Sequence, residues 1–191
     1  MKIVAATGNL NKLREIREIL SDLEIISEFD AGFTGEIEET GATFEENALL
    51  KARTVCKATG LPALADDSGI CVEALGGAPG VHSARYAAYY APAGWSRGNR
   101  AFLLEKLKNE ENRRAYFCCV VALVYPDGRE LTVEGRSYGE ILHENRGTGG
   151  FGYDPIFLSD ELGVSFAEAS EEQKNAVSHR GKALRELKQL L

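Results

Sequence analysis

The sequence predicts a mixed α/β fold, because short apolar runs typical of strands alternate with helical patterns along the chain. Lys2 to Ala6 has the composition of a buried strand, and Leu13, Ile16 and Leu20 then recur at the spacing of one helix face. The 191 residues suffice for one domain, or for two lobes that share a core. No repeat or linker divides the chain, so we expect residues 1–191 to form a single domain.

The elements of the first half follow in order. In the first helix the charged residues face solvent: Arg14, Glu15, Arg17 and Glu18. Glu24 to Phe29 forms a second strand, and Asp30 to Gly41 a loop. Thr43 and Glu46 form a capping box that opens a second helix, which ends before Gly60. The two short strands Ala63–Ala65 and Ile70–Glu73 then flank a turn at Asp66-Asp67-Ser68-Gly69.

The second half continues the alternation. Ser96 to Lys108 has a helical pattern, and the strands Ala115–Tyr125 and Glu130–Ser137 form a hairpin about Pro126-Asp127-Gly128. Ser170 and Gln173 form another capping box, from which one helix runs from about Glu171 to the C-terminus.

Composition excludes several classes of protein. The net charge of -7 argues against a nucleic-acid partner, because phosphate contacts require a basic face. The longest apolar stretch, Phe117 to Tyr125, is too short to span a membrane. Four cysteines without metal-type spacing indicate reduced core thiols. Since the N-terminus also lacks a signal-peptide pattern, we expect a cytoplasmic protein.

Residues 7–12, Thr-Gly-Asn-Leu-Asn-Lys, lie between the first strand and the first helix. Amides at such a turn, the helix dipole and Lys12 together favour a bound phosphate. The segment is not a Walker A loop, which needs a different spacing of glycines before its lysine. The alternative is that Asn9 only caps the helix and that Lys12 is a solvated surface charge.

Asp66 and Asp67 offer carboxylates for a metal ion. On a strand they would point to opposite faces, so only one of them could serve a given site. A Mg²⁺ site takes one or two protein carboxylates, which leaves most of the nearby acids Glu38, Glu39, Glu45 and Glu46 without that role. The alternative is a turn that carries two solvated acids.

The glycine-rich segment 147–152 matches a dinucleotide-binding pattern, but Tyr153-Asp154-Pro155 excludes the helix that must follow. What remains is a mobile glycine loop with Phe151 and Tyr153 available to stack on a base, or a turn with core aromatics. Ser178-His179-Arg180 is placed inside the last helix, where a basic cluster is usually a solvated face. His82 and His143 have no partner spacing and are expected to be structural.

Six segments in this order resemble the inosine/xanthosine triphosphate pyrophosphatase family, in its bacterial branch. They are Thr-Gly-Asn-x-x-Lys at 7–12, Glu-Thr-Gly-x-Thr-Phe-x-Glu-Asn at 39–47, Ala-Asp-Asp-Ser-Gly at 65–69, Leu-Gly-Gly-x-Pro-Gly at 75–80, Gly-Thr-Gly-Gly-Phe-Gly-Tyr-Asp-Pro at 147–155 and Ser-His-Arg at 178–180. The resemblance implies a two-lobed α/β fold with a long mixed sheet flanked by helices, an active-site cleft between the lobes, and a homodimer. Between Tyr86 and Arg114 the sequence carries no motif of the family.

The resemblance also implies residue roles and a reaction. Asp67 would accept the proton of the attacking water and bind Mg²⁺ together with Glu39, and Lys51 would reach the phosphates. Substrate would be bound by Thr7, Gly8, Asn9, Leu10, Asn11, Lys12, Ser68, Phe151, Gly152, Tyr153, Asp154, Lys174, His179 and Arg180.

The expected reaction is Mg²⁺-dependent hydrolysis of inosine and xanthosine triphosphates, ribo or deoxy, to monophosphate and pyrophosphate, which cleanses the nucleotide pool. Water would attack the α-phosphorus directly, because no Ser or Cys stands beside a suitable base. Donors from His179, Arg180 or the Phe151–Asp154 backbone would recognise the 6-oxo group of the base. Two alternatives stay open: a pyrophosphatase of the same fold that acts on other modified nucleotides, and a non-catalytic nucleotide-binding module.

Overall fold

The computed structural model describes residues 1–191 and contains six strands and six α-helices. The strands are β1 (Lys2–Ala5), β2 (Glu24–Ser27), β3 (Ala63–Val72), β4 (Arg114–Val124), β5 (Glu130–Ile141) and β6 (Phe157–Ser159). The helices are α1 (Leu10–Ile19), α2 (Phe44–Thr59), α3 (Tyr86–Tyr90), α4 (Gly98–Lys106), α5 (Glu171–Val177) and α6 (His179–Leu190). The predicted α/β class is confirmed, and none of the helices has the length and apolar character that a membrane span requires.

The strands form one mixed sheet in the order β2-β1-β3-β4-β5-β6. β1 runs parallel to β2 and β3, whereas β5 and β6 are antiparallel. β4 and β5 are joined by the predicted hairpin, in which the Gly128 amide donates to the Tyr125 carbonyl. β3 therefore lies in the interior of the sheet with strands on both sides, which matters for the two aspartates that it carries.

The chain divides into two compact units. The first unit contains Met1–Asp67, Cys119–Gly135 and Arg180–Leu191, and the second contains Ser68–Cys118 and Arg136–His179. Each unit has its own apolar core. In the first unit α1 and α6 contribute residues such as Leu13, Ile16 and Leu184, and in the second unit Phe102, Phe117 and Phe157 belong to the core.

Local sequence signals explain the helix ends that position the site. Asn9 caps α1, because its side-chain oxygen accepts from the Asn11 and Lys12 amides at 3.0 and 3.3 Å. Thr43 caps α2 by accepting from the Glu46 amide, and Gly60 ends that helix with φ 69°, a conformation that favours glycine. The capping box of Ser170 and Gln173 opens α5 as predicted.

The prediction of a turn at Asp66-Asp67-Ser68-Gly69 is wrong. All four residues lie within β3, a single strand of ten residues, nine of which are buried. Asp, Ser and Gly are depleted in strands, so their composition favoured a turn, but pairing inside a sheet overrides local preference. The burial of both aspartates then requires compensating partners, which the site supplies.

The prediction of one continuous C-terminal helix is also wrong. Ser178 has an extended backbone, with φ -67° and ψ 155°, and separates α5 from α6. Serine favours helix caps over helix interiors because its side chain competes for backbone hydrogen bonds. The basic cluster is not a solvated face either: Lys174, His179 and Arg180 are all buried.

Candidate active site

Asp66 and Asp67 point to opposite faces of β3, as alternation along a strand requires. The Asp66 carboxylate contacts side chains of α1 and α6, whereas the Asp67 carboxylate contacts α2. Each aspartate therefore has its own environment within the first unit, and the two have pKa values shifted in opposite directions.

Asp66 is the centre of a buried charge cluster. Its Oδ2 accepts from Arg180 Nε and Nη2 at 3.2 and 3.0 Å, and Lys12 Nζ lies 3.2 Å away. The remaining arm of Arg180 donates from Nη1 to Glu15 on α1. We call these four residues, Asp66, Arg180, Lys12 and Glu15, the arginine cluster. Its two acids and two bases balance in charge, which makes their burial tolerable.

The arginine cluster fixes the ionisation of its members. Burial alone would raise the pKa of Asp66, but the charges of Lys12, Arg180 and Lys51 outweigh it and hold that pKa far below its ordinary value. Burial lowers the pKa of Arg180, but the neighbouring acids more than reverse this. Asp66 is thus a permanent carboxylate and no candidate for proton transfer.

Asp67 has the properties expected of a general base. Its Oδ2 accepts from Asn47 Nδ2 at 3.1 Å, and its Oδ1 lies 3.9 Å from Lys51 Nζ. Burial raises its pKa, Lys51 lowers it and the charge of Glu39 raises it again, and the net result is a pKa of about 6. A carboxylate with a pKa near neutrality can accept a proton from water and release it again.

Two residues one turn apart on α2, Asn47 and Lys51, position both the Asp67 carboxylate and the loop that precedes the helix. Lys51 Nζ donates to Glu39 Oε1 at 2.9 Å and to the Asp66 carbonyl at 2.7 Å. Asn47 Oδ1 accepts from the Gly41 amide at 2.8 Å. A side chain at Gly41 would collide with Asn47, since a Cβ there would lie 2.6 Å from its Oδ1. The loop that bears Glu39 is thereby held against Asp67.

The predicted metal ligands Asp67 and Glu39 contact the same ammonium group, that of Lys51. No three His, Cys, Asp or Glu side chains come together in this chain as a ready-made metal centre. Two carboxylates nevertheless suit Mg²⁺, which keeps several waters and completes its shell with substrate phosphates. Glu39 raises the pKa of Asp67 because the two negative charges repel each other, and the single ammonium of Lys51 leaves one of these charges for a metal ion to neutralise. The donor set therefore fits Mg²⁺.

The turn at 7–12 is more than a helix cap on a solvated surface. Lys12 is bound to the buried Asp66, so the alternative of a free surface charge does not hold. The cap occupies the Asn11 and Lys12 amides, and Thr7 Oγ1 accepts from the Asn9 amide at 3.1 Å. A phosphate at this turn would draw on the Lys12 ammonium and on amides outside the cap. The substrate role of residues 7–12 stays a prediction.

In the second unit the glycine segment forms the predicted loop without a following α-helix. Asp154 Oδ2 accepts from the Phe151 amide at 2.9 Å and from Lys174 Nζ at 2.7 Å. The Phe151 ring, which is half-buried, lies 4.5 Å from the same ammonium. Gly150 is required here, because a Cβ would lie 2.2 Å from the Asp154 carboxylate. These contacts join Phe151, Asp154 and Lys174 into one group.

Tyr153 belongs to the core, so the expectation that it stacks on a base is not supported. Its ring is buried in the second core and its hydroxyl donates to the Ser83 carbonyl at 2.7 Å. Burial raises the pKa of this phenol. Phe151 remains as the accessible aromatic ring of the loop.

His179 and Ser68 have different degrees of exposure. His179 is buried and stacks on Phe117 with ring centres 4.6 Å apart, while Ser68 is the half-buried residue that follows Asp67 on β3.

Of the two histidines expected to be structural, His82 pairs with the Tyr90 hydroxyl at 2.8 Å and His143 is exposed. All four cysteines are free and buried, as predicted.

Comparison with known proteins decides the family. The model of the Ham1 family matches residues 3–190. The chain belongs to the Ham1 family. A dITP/XTP pyrophosphatase of Thermus thermophilus is 52% identical over 190 residues, covering 98% of this chain and 90% of that protein. One from Geobacter sulfurreducens is 51% identical over 191 residues, covering 98% and 94%.

Solved structures agree with this Ham1-family assignment. A Ham1 protein of Coxiella burnetii superposes with a TM-score of 0.87 at 43% identity, covering 100% of this chain and 98% of that one. The Ham1 protein of Staphylococcus aureus gives 0.86 at 40% identity, covering 100% and 97%. The resemblance drawn from the six motifs is confirmed.

Two residues of this Ham1-family site were missed in the sequence. Glu15 was placed on the solvent face of α1 but is buried against Arg180. Its signal was its spacing of three residues from Lys12, which puts both on one helix face. Asn47 belongs to one of the motifs but has no role predicted from the sequence, where the available signal is an asparagine directly after Glu46 of the capping box.

Proposed function

We propose that the chain hydrolyses non-standard purine nucleoside triphosphates, inosine and xanthosine in ribo or deoxy form, to the monophosphate and pyrophosphate with Mg²⁺. Membership of the Ham1 family, with dITP/XTP pyrophosphatases similar along nearly the whole chain, makes it a nucleoside-triphosphate pyrophosphatase, a hydrolase. The observation that carries the proposed mechanism is Asp67, a buried carboxylate with a pKa of about 6 beside Lys51 and Glu39.

The chemistry follows from these groups. Asp67 accepts a proton from the water that attacks the α-phosphorus, while the Asn47 amide fixes the direction of its carboxylate. Mg²⁺ held by Asp67 and Glu39 would neutralise phosphate charge and polarise the phosphorus–oxygen bonds. Lys12 and Lys51 add positive charge for the triphosphate, and pyrophosphate leaves. Positioning and charge neutralisation supply most of the catalysis in such reactions.

We assign base recognition to the second unit. The half-buried Phe151 ring offers a stacking surface, and backbone amides of the Phe151–Asp154 loop can donate to a 6-oxo group. Adenine carries an amino group at position 6, which is itself a donor. The loop amides would therefore find no acceptor on adenine. The Arg180 guanidinium is already bound by Asp66 and Glu15, which favours a positioning role for it over direct contact with the base.

The test is pyrophosphate release from ITP, XTP, GTP, ATP, their deoxy forms and modified pyrimidine triphosphates, each with Mg²⁺ and with EDTA. Fast release from ITP and XTP alone supports the proposal. Preference for a modified pyrimidine would favour the alternative substrate class, and no release from any nucleotide would favour a binding module. We also propose a cytoplasmic homodimer, which light scattering tests by a mass twice the 20.8 kDa of the chain.

Lys12→Ala is expected to raise the KM for ITP about tenfold or more, because a charged donor to phosphate is lost. The free energy of unfolding should also fall, because Asp66 and Glu15 then share Arg180 as the single cation of the cluster, but the fold should persist since both bonds from Arg180 to Asp66 remain. Steady-state kinetics and urea unfolding measure the two effects. Arg14→Ala on the exposed face of α1 is the matched control and should change neither. An unchanged KM with lost stability would make Lys12 a purely structural residue.

The pH dependence of kcat/KM should have an acidic limb at or below about pH 6, because Asp67 must be ionised to accept a proton, its pKa without a metal is about 6, and bound Mg²⁺ would lower that pKa. Activity should fall about tenfold for each pH unit below that limb. Nucleotide phosphates also titrate near pH 6, so the residual activity of Asp67→Asn is the control. If that variant keeps the same limb, the limb belongs to the substrate.

A further inference from the structure

Arg100 on α4 links the segment without family motifs to the glycine loop. Its Nη1 donates to the Gly152 carbonyl at 2.6 Å, across 52 positions of sequence and within the second unit. Arg100 is half-buried. Its partner Gly152 directly follows Phe151, the ring proposed to stack on the base.

The residues before Gly152 in the same loop are held by other hydrogen bonds. The Phe151 amide donates to Asp154, which is bound to Lys174, and both of these side chains are buried. The Gly149 amide donates to the Ala167 carbonyl at 2.9 Å. Gly152 itself is exposed and has φ 60°, a region that favours glycine. Glycine has more conformational freedom than other residues, and the hydrogen bond from Arg100 to the Gly152 carbonyl restricts that freedom.

The helix that carries Arg100 is held in place by its neighbours on α4. The neighbouring residues Phe102 and Leu103 are buried in the second core. Asn99 accepts from the Ala87 amide at 2.8 Å and donates to the Ala84 carbonyl at 2.9 Å. The guanidinium therefore reaches the loop from a helix whose position is set by packing and by hydrogen bonds.

We propose that Arg100 is a positioning residue for base recognition, which holds the Phe151–Gly152 segment in its binding conformation. This rests on the proposed role of the Phe151–Asp154 loop in binding the base. A loop rich in glycine loses conformational freedom when it binds, and an anchor in the free protein removes part of that cost. Without the anchor the binding-competent fraction falls, and the apparent affinity falls by the same factor. The Asp67 chemistry is unaffected.

The first test is kinetic. Arg100→Met keeps the aliphatic part of the side chain and removes the donor, so the KM for ITP should rise about tenfold while kcat stays within about twofold. Arg100→Lys should recover part of the loss because it restores one charged donor. The matched control is Arg97→Ala. Arg97 is exposed, directly precedes α4 and stacks on Trp95, so its loss should leave the KM for ITP at the wild-type value.

A double-mutant cycle with Phe151→Ala tests whether Arg100 acts through the loop. If it does, Arg100→Met should add little to the KM of Phe151→Ala, whereas independent roles would give multiplied effects and overturn the proposal. Hydrogen exchange in the free protein gives a second readout: the amides of residues 149–152 should exchange faster in Arg100→Met. Unchanged exchange and unchanged KM would each contradict the proposal.

Failure of the proposed function looks different. In that case the wild type itself would not release pyrophosphate from ITP or XTP, and the positioning role would fall with it. An active wild type whose KM is insensitive to Arg100 would overturn only the positioning role.

Discussion

Replacing Asp67 by asparagine should lower kcat by about 10²–10⁴-fold, the usual loss when a general base is removed. The amide has nearly the shape of the carboxylate, but it cannot accept the proton of the attacking water and contributes no charge to a metal ion. Initial rates of pyrophosphate release from ITP at saturating Mg²⁺ measure the effect. A variant with wild-type kcat would exclude Asp67 as the base.

The same substitution should leave the protein at least as stable as the wild type at pH 7.5. Asp67 has its pKa raised from 3.8 to about 6 in the folded chain. The stability that this group contributes is fully present below its unfolded pKa and is lost as the pH rises through about 6. At pH 7.5 the ionised Asp67 carboxylate is less favourable in the folded chain than in the unfolded chain. A neutral amide at this position removes that unfavourable contribution to the free energy of folding.

Asp66→Asn is the matched control for the stability measurement, because the pKa of Asp66 is shifted downward. Such a group stabilises the fold above its unfolded pKa and loses that contribution as the pH falls. Asp66→Asn should therefore destabilise the protein at pH 7.5 in urea unfolding, where Asp67→Asn does not. Destabilisation of both variants to the same extent would show that Asp67 is mainly a structural residue.

Arg180→Met should lower the free energy of unfolding by about 3–5 kcal/mol, the usual loss when one partner of a buried ion pair is removed. The substitution leaves Glu15 and Asp66 buried with Lys12 as the single cation of the arginine cluster. Urea unfolding at pH 7.5 measures the loss. Glu15→Gln in the Arg180→Met background should restore part of it, because it removes one uncompensated charge.

Lys188→Met on the same helix is the control, since its ion pair with Asp22 is exposed and its removal should leave the free energy of unfolding almost unchanged. An equally small loss for Arg180→Met would contradict the importance of the arginine cluster. The ratio of kcat/KM for ITP and ATP in the folded variant tests the base-reading role implied by the family. A constant ratio would assign Arg180 to positioning, and a ratio that falls toward one would assign it to the base.

Local features of the fold could be predicted because their causes are local. The ends of α2 follow from the Thr43 cap and from Gly60, and the hairpin follows from its turn residues. β3 was divided wrongly because Asp, Ser and Gly favour turns in isolation, and only the neighbouring strands make them part of a sheet.

The motifs indicate candidate site residues but not the contacts between them. The pairing of Asp66 with Arg180 spans 114 positions and leaves no periodic signal in the sequence. Glu15 was misplaced because a charged residue in a helix is normally solvated. Its burial depends on a cation contributed by a helix at the far end of the chain.

β3 gives two adjacent identical residues opposite environments. A one-residue step along this strand leads from a carboxylate held ionised by its ion pairs to a carboxylate whose pKa lies near neutrality, with the backbone of the strand between them. If the proposed mechanism holds, changes on the Asp67 face, at Glu39 or Asn47, should alter the rate or the metal preference while the ion pairs on the Asp66 face stay in place. For protein engineering, substitutions on the Asp67 face should cost less stability than substitutions of Asp66, Glu15 or Arg180.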